Sequence, residues 1–155
     1  MRMEYGIAAL FGTFFLFFFL IAIASYVLAA LGLYTMAQKR NIENPWVAWI
    51  PVAQLYILGK VIRTLNIGGY EIPQVELVLP GIAIASVVLG MIPLIGTVIS
   101  IAAAVISLFA LHKLYKIHRP DQAVLYLLLS IIIPFMGPVF IFLMRNDAPV
   151  FEEVR

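Results

Sequence analysis

Apolar positions along this chain fall in long unbroken blocks, not in the alternation of strands or the one-sided stripe of a soluble helix. The first block predicts a helix over about Gly6–Tyr34. A helix crosses the ~30 Å hydrocarbon core of a bilayer with about 20 apolar residues, so this one should tilt or project beyond it. Phe11, Phe14, Phe15, Phe17, Phe18 and Phe19 go right round its axis, so some of these rings face lipid. Ala22-Ile23-Ala24 looks like a signal-peptide cleavage site, but a signal's apolar core is roughly 7–15 residues long. This block starts earlier and continues well past that point, which favours an uncleaved transmembrane helix.

A polar segment follows: Gln38, Lys39, Arg40, Asn41, Glu43, Asn44. Pro45 then opens a second apolar stretch, Pro45–Ile62, with Asn44 as cap and proline in the first turn. Pro51 interrupts it after about one and a half turns. Trp46, Trp49 and Tyr56 carry amphipathic rings that favour the headgroup level. Lys60 and Arg63 close the stretch. It reads as a re-entrant or interfacial helix, with a true crossing as the alternative.

Asn66–Pro73, containing Gly68-Gly69, reads as a loop. The apolar run from Val75 to Tyr115 is too long for one helix. Pro93 and Gly96 break it into a hairpin, about Val75–Met91 and Pro93–Tyr115, whose tip has no charge. Gly96, Ser100 and Ala104 form a small-residue stripe that Gly81 and Ala85, or Ser86 and Gly90, could face. Such spacing lets helix backbones approach closely in lipid, either within the hairpin or between copies of the chain. A second basic loop, His112–Asp121, holds Lys113, Lys116, His118 and Arg119. The last stretch, Ala123–Met144, has Pro134 and Gly137-Pro138 at its middle; it is one kinked span or two half-helices that turn back.

The pattern as a whole predicts an all-α, polytopic helical membrane protein with no sheet. It is a single integral domain of about 3–4 transmembrane helices, over 6–34, 75–91, 93–115 and 123–144, plus Pro-broken re-entrant or interfacial helices.

Composition strengthens this. The 155 residues are 64% hydrophobic and 12% charged, against roughly 45–50% and 25% in soluble domains. Mean hydropathy is +1.06. A water-soluble fold this small could not hide so much apolar surface. The net charge of +2 comes without a basic run fit for nucleic acid, and acidic residues at the end stop at Glu152 and Glu153. Cysteine is absent, which excludes disulfides, thiolate nucleophiles and Cys-based metal sites.

Orientation follows from the Lys/Arg bias of short loops. Lys39, Arg40, Lys60 and Arg63 flank the second stretch, and Lys113, Lys116 and Arg119 follow the hairpin. Both loops should be cytoplasmic in a multi-pass cell-membrane protein, with the hairpin tip and the N-terminus outside, where Glu4 offsets Arg2. This parity holds only if Pro45–Ile62 does not cross. The C-terminus is inside if the last stretch turns back and outside if it spans.

The two halves share a wiring: a long helix, a basic loop, an acid–amide pair and a Pro-broken apolar stretch. Lys39-Arg40-Asn41-Ile42-Glu43-Asn44 corresponds to Lys116-Ile117-His118-Arg119-Pro120-Asp121-Gln122. Transporter folds often repeat broken helices in this way, although identity here is low and the proline offsets differ. Asn44-Pro45-Trp46-Val47-Ala48-Trp49-Ile50-Pro51, with Gln54-Leu55-Tyr56 after it, resembles a segment of an uncharacterised family of small prokaryotic multi-pass membrane proteins. There a basic loop leads into a Gly/Pro-Trp-x-Ala-x-Ile-Pro segment, then a hairpin with a Pro-centred turn and a final Pro-broken helix. Val52-Ala53-Gln54 departs from the Tyr-Asn that tends to follow the proline in that family. The resemblance implies an architecture and a bacterial or archaeal membrane, and no activity.

Little in the chain suggests chemistry. Of Glu4, Glu43, Glu71, Glu76, Asp121, Asp147, Glu152 and Glu153, only Glu76 touches an apolar stretch, at its mouth. There it needs no special role, or it pairs with Lys60 or Arg63. His112 and His118 lie on different helix faces, with no third ligand at zinc spacing. Ser25, Ser86, Ser100, Ser107 and Ser130 have no nearby base in sequence. Gln54 either satisfies backbone groups freed by Pro51 or lines a polar cavity. No catalytic, cofactor or metal site is expected. The expected function is a non-catalytic accessory, scaffold or regulatory membrane component that assembles with itself or a partner. The alternative is a small oligomeric transporter, channel or lipid-handling protein that uses the broken helices. Lys39, Arg40, Lys113, Lys116 and Arg119 are expected to bind anionic lipid headgroups, where each nearby cation contributes roughly 1 kcal/mol.

Overall fold

Four Ile-Pro pairs punctuate the chain, and a helix begins two residues after each proline. In the computed structural model, which describes residues 2–150 and side chains from 10 to 150, Pro51 precedes α2 (Ala53–Ile62) and Pro73 precedes α3 (Val75–Leu89). Pro93 and Pro134 likewise precede α4 (Ile95–His118) and α6 (Met136–Leu143). Proline has no N–H and pushes its predecessor out of the helical region, so each pair ends one element. At Pro51 and Pro93 the new helix starts from a tight γ-turn: Ala53 N–H donates to the Pro51 carbonyl at 2.8 Å and Ile95 N–H to that of Pro93 at 2.9 Å. The central residues, Val52 and Leu94, sit at φ 67° and 69°. The Ile50 and Ile92 carbonyls then accept from Gln54 and Gly96, at 2.9 and 2.8 Å.

The remaining elements are α1 (Arg2–Lys39), a 3-10 turn at Pro45–Trp49, β1 (Leu65–Ile67), β2 (Tyr70–Ile72), a 3-10 turn at Pro120–Gln122, α5 (Ala123–Ile132) and a 3-10 turn at Met144–Asn146. Among the described residues the regular structure is helical apart from the two short strands. These correct the expectation of no sheet. The stretch read as a loop pairs Leu65 with Ile72 and Ile67 with Tyr70, antiparallel. Gly68 and Gly69, at φ 59° and 88°, supply the two positive-φ positions that a two-residue hairpin turn requires.

Both broken segments double back. The first leaves α1 at Arg40, and the Trp49 carbonyl accepts from the Tyr26 hydroxyl beside the middle turns of α1. By Val61 the chain is again at Arg40, whose Nη1 donates to the Val61 carbonyl. Tyr26 precedes Arg40 by roughly 20 Å of helix at 1.5 Å per residue, so Trp49 does not lie level with the basic loop. The second segment leaves α4 at Arg119, turns over Ile133–Phe135, and returns so that Asp147 pairs with Arg119. Val150 N–H then donates to the Ile117 carbonyl at 2.7 Å. Of the two readings open for Ala123–Met144, the half-helix pair matches this path. The wiring common to the two halves is therefore also spatial: in each, an arginine at the end of a long helix holds the returning strand of its own broken segment.

The core lies at the end of the molecule where these arginines sit. The C-terminal half of α1 (Ala30, Leu33, Met36, Ala37) buries against α2 (Ile57, Leu58, Val61, Ile62), α4 (Ala110, Leu114, Tyr115) and α6 (Phe140, Ile141). α2 packs against α1, α3 and α4, and α6 against α1 and α5. Two glycines permit backbone contact within this core. A Cβ on Gly59 would fall 2.3 Å from Glu76 Cα, and one on Gly32 2.9 Å from the Ile141 carbonyl.

The other end is bare. From Leu10 to Leu20 every side chain of α1 is exposed, Phe11 and Phe15 by more than 70%. Val87, Val88, Met91, Leu94, Val98 and Ile101 around the hairpin tip are exposed too. Among the described residues two helices are long and apolar enough to cross a membrane, Leu10–Lys39 of α1 and the whole of α4. α3, at about 22 Å, is shorter. Of the small residues expected to face one another, Gly96 meets the Gly90 backbone and Ala85 and Ser86 are half-buried, while Ser100, Ala104 and Gly81 are exposed. Glu152 and Glu153, and the side chains of Arg2 and Glu4, lie outside the described residues.

Candidate functional site

Polar side chains of both long helices meet where these helices end. Lys39 and Arg40 close α1, and His118 and Arg119 end α4. The tail after α6 (Met144–Pro149) runs between them.

Arg40 is half-buried and ties three elements. Its Nη1 donates to the Val61 carbonyl of α2, and its Nη2 lies 3.4 Å from His118 Nε2 on α4. His118 is almost fully buried, and its Nδ1 lies 2.9 Å from the Leu114 carbonyl. A carbonyl only accepts, so Nδ1 carries the proton and Nε2 is left to accept from Arg40. Burial, and then the Arg63 charge, push the Arg40 guanidinium down to about 10, so it remains a cation at neutral pH.

Arg119 makes the corresponding tie in the second half. Its Nε donates to Asp147 Oδ2 at 2.6 Å and its Nη1 to the Tyr126 hydroxyl at 2.8 Å. The Asp147 carboxylate, then the Tyr126 hydroxyl, hold its proton more tightly than usual. Behind it the Tyr126 ring stacks on Phe140 at 4.1 Å, with Tyr115 edge-on to both. Ser130 gives its one proton to the Tyr126 carbonyl at 2.7 Å, so the Tyr115 hydroxyl, 2.9 Å away, must donate to Ser130.

Between the two ties opens a cleft of about 320 Å³, lined by Met36, Lys39, Arg40, His118, Arg145 and the 146–149 tail. Lys39 Nζ donates to Asn146 Oδ1 at 2.8 Å and approaches the Asn146 carbonyl at 3.3 Å. Arg145 Nη1 donates to the Phe142 carbonyl at 2.7 Å, and its guanidinium stacks 3.7 Å over the Phe142 ring. Of the five cations singled out in the sequence, the cleft collects Lys39 and Arg40. Arg119 is committed to Asp147, while Lys113 and Lys116 do not line the cleft. Arg145 joins instead. It was missed because it stands alone after an apolar run, and only the return of α6 brings it beside Lys39.

Trp46, Trp49 and Pro51 lie on the surface of the first broken segment. Gln54 is half-buried; its Nε2 is fully shielded and has no hydrogen-bond partner. Pro134 is exposed like Pro51 and Pro138 is half-buried, and neither these prolines nor Gln54 line the basic cleft. Glu76 meets Lys60 at 3.7 Å. His112 faces an apolar groove with Leu108, Phe109, Leu127 and Ile131.

No known protein family, no curated protein and no solved structure matches this chain.

Proposed function

We propose that this is a non-catalytic multi-pass membrane protein that serves as an accessory or scaffold component, assembling in the bilayer with itself or a partner. α1 and α4 cross the membrane, α3 completes the hairpin with α4, and Pro45–Ile62 and Ala123–Met144 enter and leave on the basic side. The carrying observation is the apolar girdle. The side chains of Leu10–Leu20 and of the hairpin tip are exposed all round, which in water would be a large aggregation-prone patch and in lipid is ordinary. The doubled-back segments support the same reading. A broken backbone at membrane depth survives only where protein satisfies its freed groups, and both segments pack on spanning helices. A non-catalytic role is supported by how the ionisable groups are spent: Arg119 on Asp147, Lys60 on Glu76, Arg40 on Val61. Handling of lipid is the second reading, and the basic cleft favours it.

The basic side is cytoplasmic in this proposal, with Lys39, Arg40, Lys113, Lys116 and Arg119 at headgroup level. Cysteines placed at Gln38, Gln122 and Asn146 should all react with an impermeant maleimide only after the cytoplasmic face is opened, and one at Met91 should react in intact cells. Labelling of Gln38 and Gln122 from opposite sides, or release of the protein by alkaline carbonate, would overturn the proposal. Pull-down in mild detergent with mass spectrometry then reads the partner; recovery of the chain alone as a monomer would remove the scaffold reading.

A further inference from the structure

We propose that His118 is an acid-sensitive latch between the two halves of the protein: a second proton on its ring releases the end of α4 from Arg40 and opens the cleft between the two arginine ties. The latch goes beyond the accessory role proposed above and does not depend on it. The two ring nitrogens have different tasks. Nδ1 lies 2.9 Å from the Leu114 carbonyl, one turn back in α4, and already carries the ring's proton. Nε2, 3.4 Å from Arg40 Nη2, accepts across the gap between α4 and the end of α1. Only a neutral imidazole can do this, because a protonated ring donates at both nitrogens. The second proton must therefore enter at Nε2, where it meets a guanidinium N–H and sets two cations in contact. The bond from Arg40 Nη1 to the Val61 carbonyl does not involve the imidazole, so the contact that yields is the one to α4.

Charged groups reach this ring from each element around it. Lys39 and Arg40 approach from the end of α1, and Arg145 and Asp147 from the chain after α6. Arg119 and Asp121 stand beside it at its own helix end. Arg63, after α2, acts on Arg40. Asp147 favours the second proton, but its carboxylate is bonded by Arg119 at 2.6 Å. Glu152 and Glu153 lie outside the described residues, and the test below addresses them. His118 stands in the basic loop, beyond the apolar stretch of α4, and borders the cleft, which gives a proton a route to the ring. Burial above all holds the imidazole below its ordinary value; the Arg40 charge adds to this, and the Leu114 bond and the Asp147 charge oppose it. A base that is harder to protonate folded than unfolded costs stability on acidification. The latch is therefore closed above the ordinary histidine value of about 6.5, and it weakens as pH falls from there through the lower folded value.

The chain has two histidines, so His112→Leu leaves His118 as the one imidazole for nitrogen NMR of the full chain in mild detergent. Its titration should fall below about 6.5. Arg40→Gln should raise it by about half a unit or more, roughly a threefold gain in proton affinity. Arg40→Lys keeps the charge and should keep the titration low. Opening is read from electron-resonance distances between spin labels on cysteines at Gln38, near the end of α1, and Gln122, just after α4. Between about pH 7.5 and about pH 5, a range that brackets histidine titration, the distance should lengthen or broaden in the parent. It should stay fixed in His118→Gln, whose amide oxygen can accept from Arg40 but takes no proton. Replacing Glu152 and Glu153 together by glutamine should leave the parent's change in place. A distance that does not respond to pH in the parent would overturn the latch. So would a change that persists in His118→Gln, or one that vanishes when Glu152 and Glu153 are replaced. A His118 titration that Arg40→Gln leaves unmoved would overturn it as well, even in a chain that opens with acid.

Discussion

Gly59 is the sharpest test of how the first broken segment packs. It lies in the last two turns of α2, fully enclosed, where the α2 backbone rests on the first turn of α3. A Cβ there would stand 2.3 Å from Glu76 Cα and 2.6 Å from its nitrogen, where ordinary contact begins at 3.4 Å. The obstacle is backbone, so no side chain can swing aside, and the helices must part by about 1 Å; overpacking of this kind costs about 3 kcal/mol, the upper end of its usual range. Alanine returns about 1 kcal/mol through its helix propensity. Gly59→Ala should therefore destabilise the protein by about 2 kcal/mol net. Gly12→Ala is the matched control, because a Cβ on Gly12 meets nothing within 4 Å; it keeps the propensity gain without the clash. Thermal melting in mild detergent, followed by far-UV circular dichroism, should move the two variants in opposite directions. A Gly59→Ala melting point at or above that of the parent would mean that α2 does not pack on α3 as described.

Val52 and Leu94 hold positive φ without being glycine, a strain of about 1–3 kcal/mol each. Val52→Gly and Leu94→Gly should therefore raise the melting point, and a fall in both would refute the γ-turn starts of α2 and α4. Gln54→Leu should leave stability unchanged or raise it by about 1 kcal/mol, since it removes a shielded amide nitrogen that has no partner. A clear loss of stability would show that the amide is bonded, and loss of activity in a folded variant would favour the transport reading. Arg119→Leu should speed hydrogen exchange at the Val150 amide, which donates to Ile117, while amides in the middle of α1 keep their protection. The partly exposed Arg119–Asp147 pair contributes up to about 1 kcal/mol, so the change should stay within about tenfold. An unaltered Val150 rate would mean that the tie does not hold the tail.

Helix content and the positions of the breaks were legible in the sequence, because both depend on neighbours along the chain. Continuous apolar blocks form helices wherever backbone groups must be satisfied without water, and Pro51, Pro93 and Pro134 stand at breaks because they lack an N–H, whereas Pro80 and Pro138 stay inside α3 and α6. Gly96 at the hairpin turn was legible for the same reason. Gly68-Gly69 was visible as a turn, but three-residue strands on either side are too short to show an alternating pattern. Their pairing became definite only when both glycines adopted positive φ. The direction taken after each break was a tertiary decision. A proline permits a kinked crossing as readily as a reversal. The reversals are fixed by bonds between residues far apart in sequence: Arg40 to Val61, Arg119 to Asp147 and Val150 to Ile117. The candidate site has the same origin. Lys39 and Arg40 could be read as a basic pair, but Arg145 reaches Lys39's cleft only through the return of α6, and Arg119 leaves the set because Asp147 arrives beside it. Charge in a sequence shows which groups can attract an anion; the folded path decides which of them are already paired.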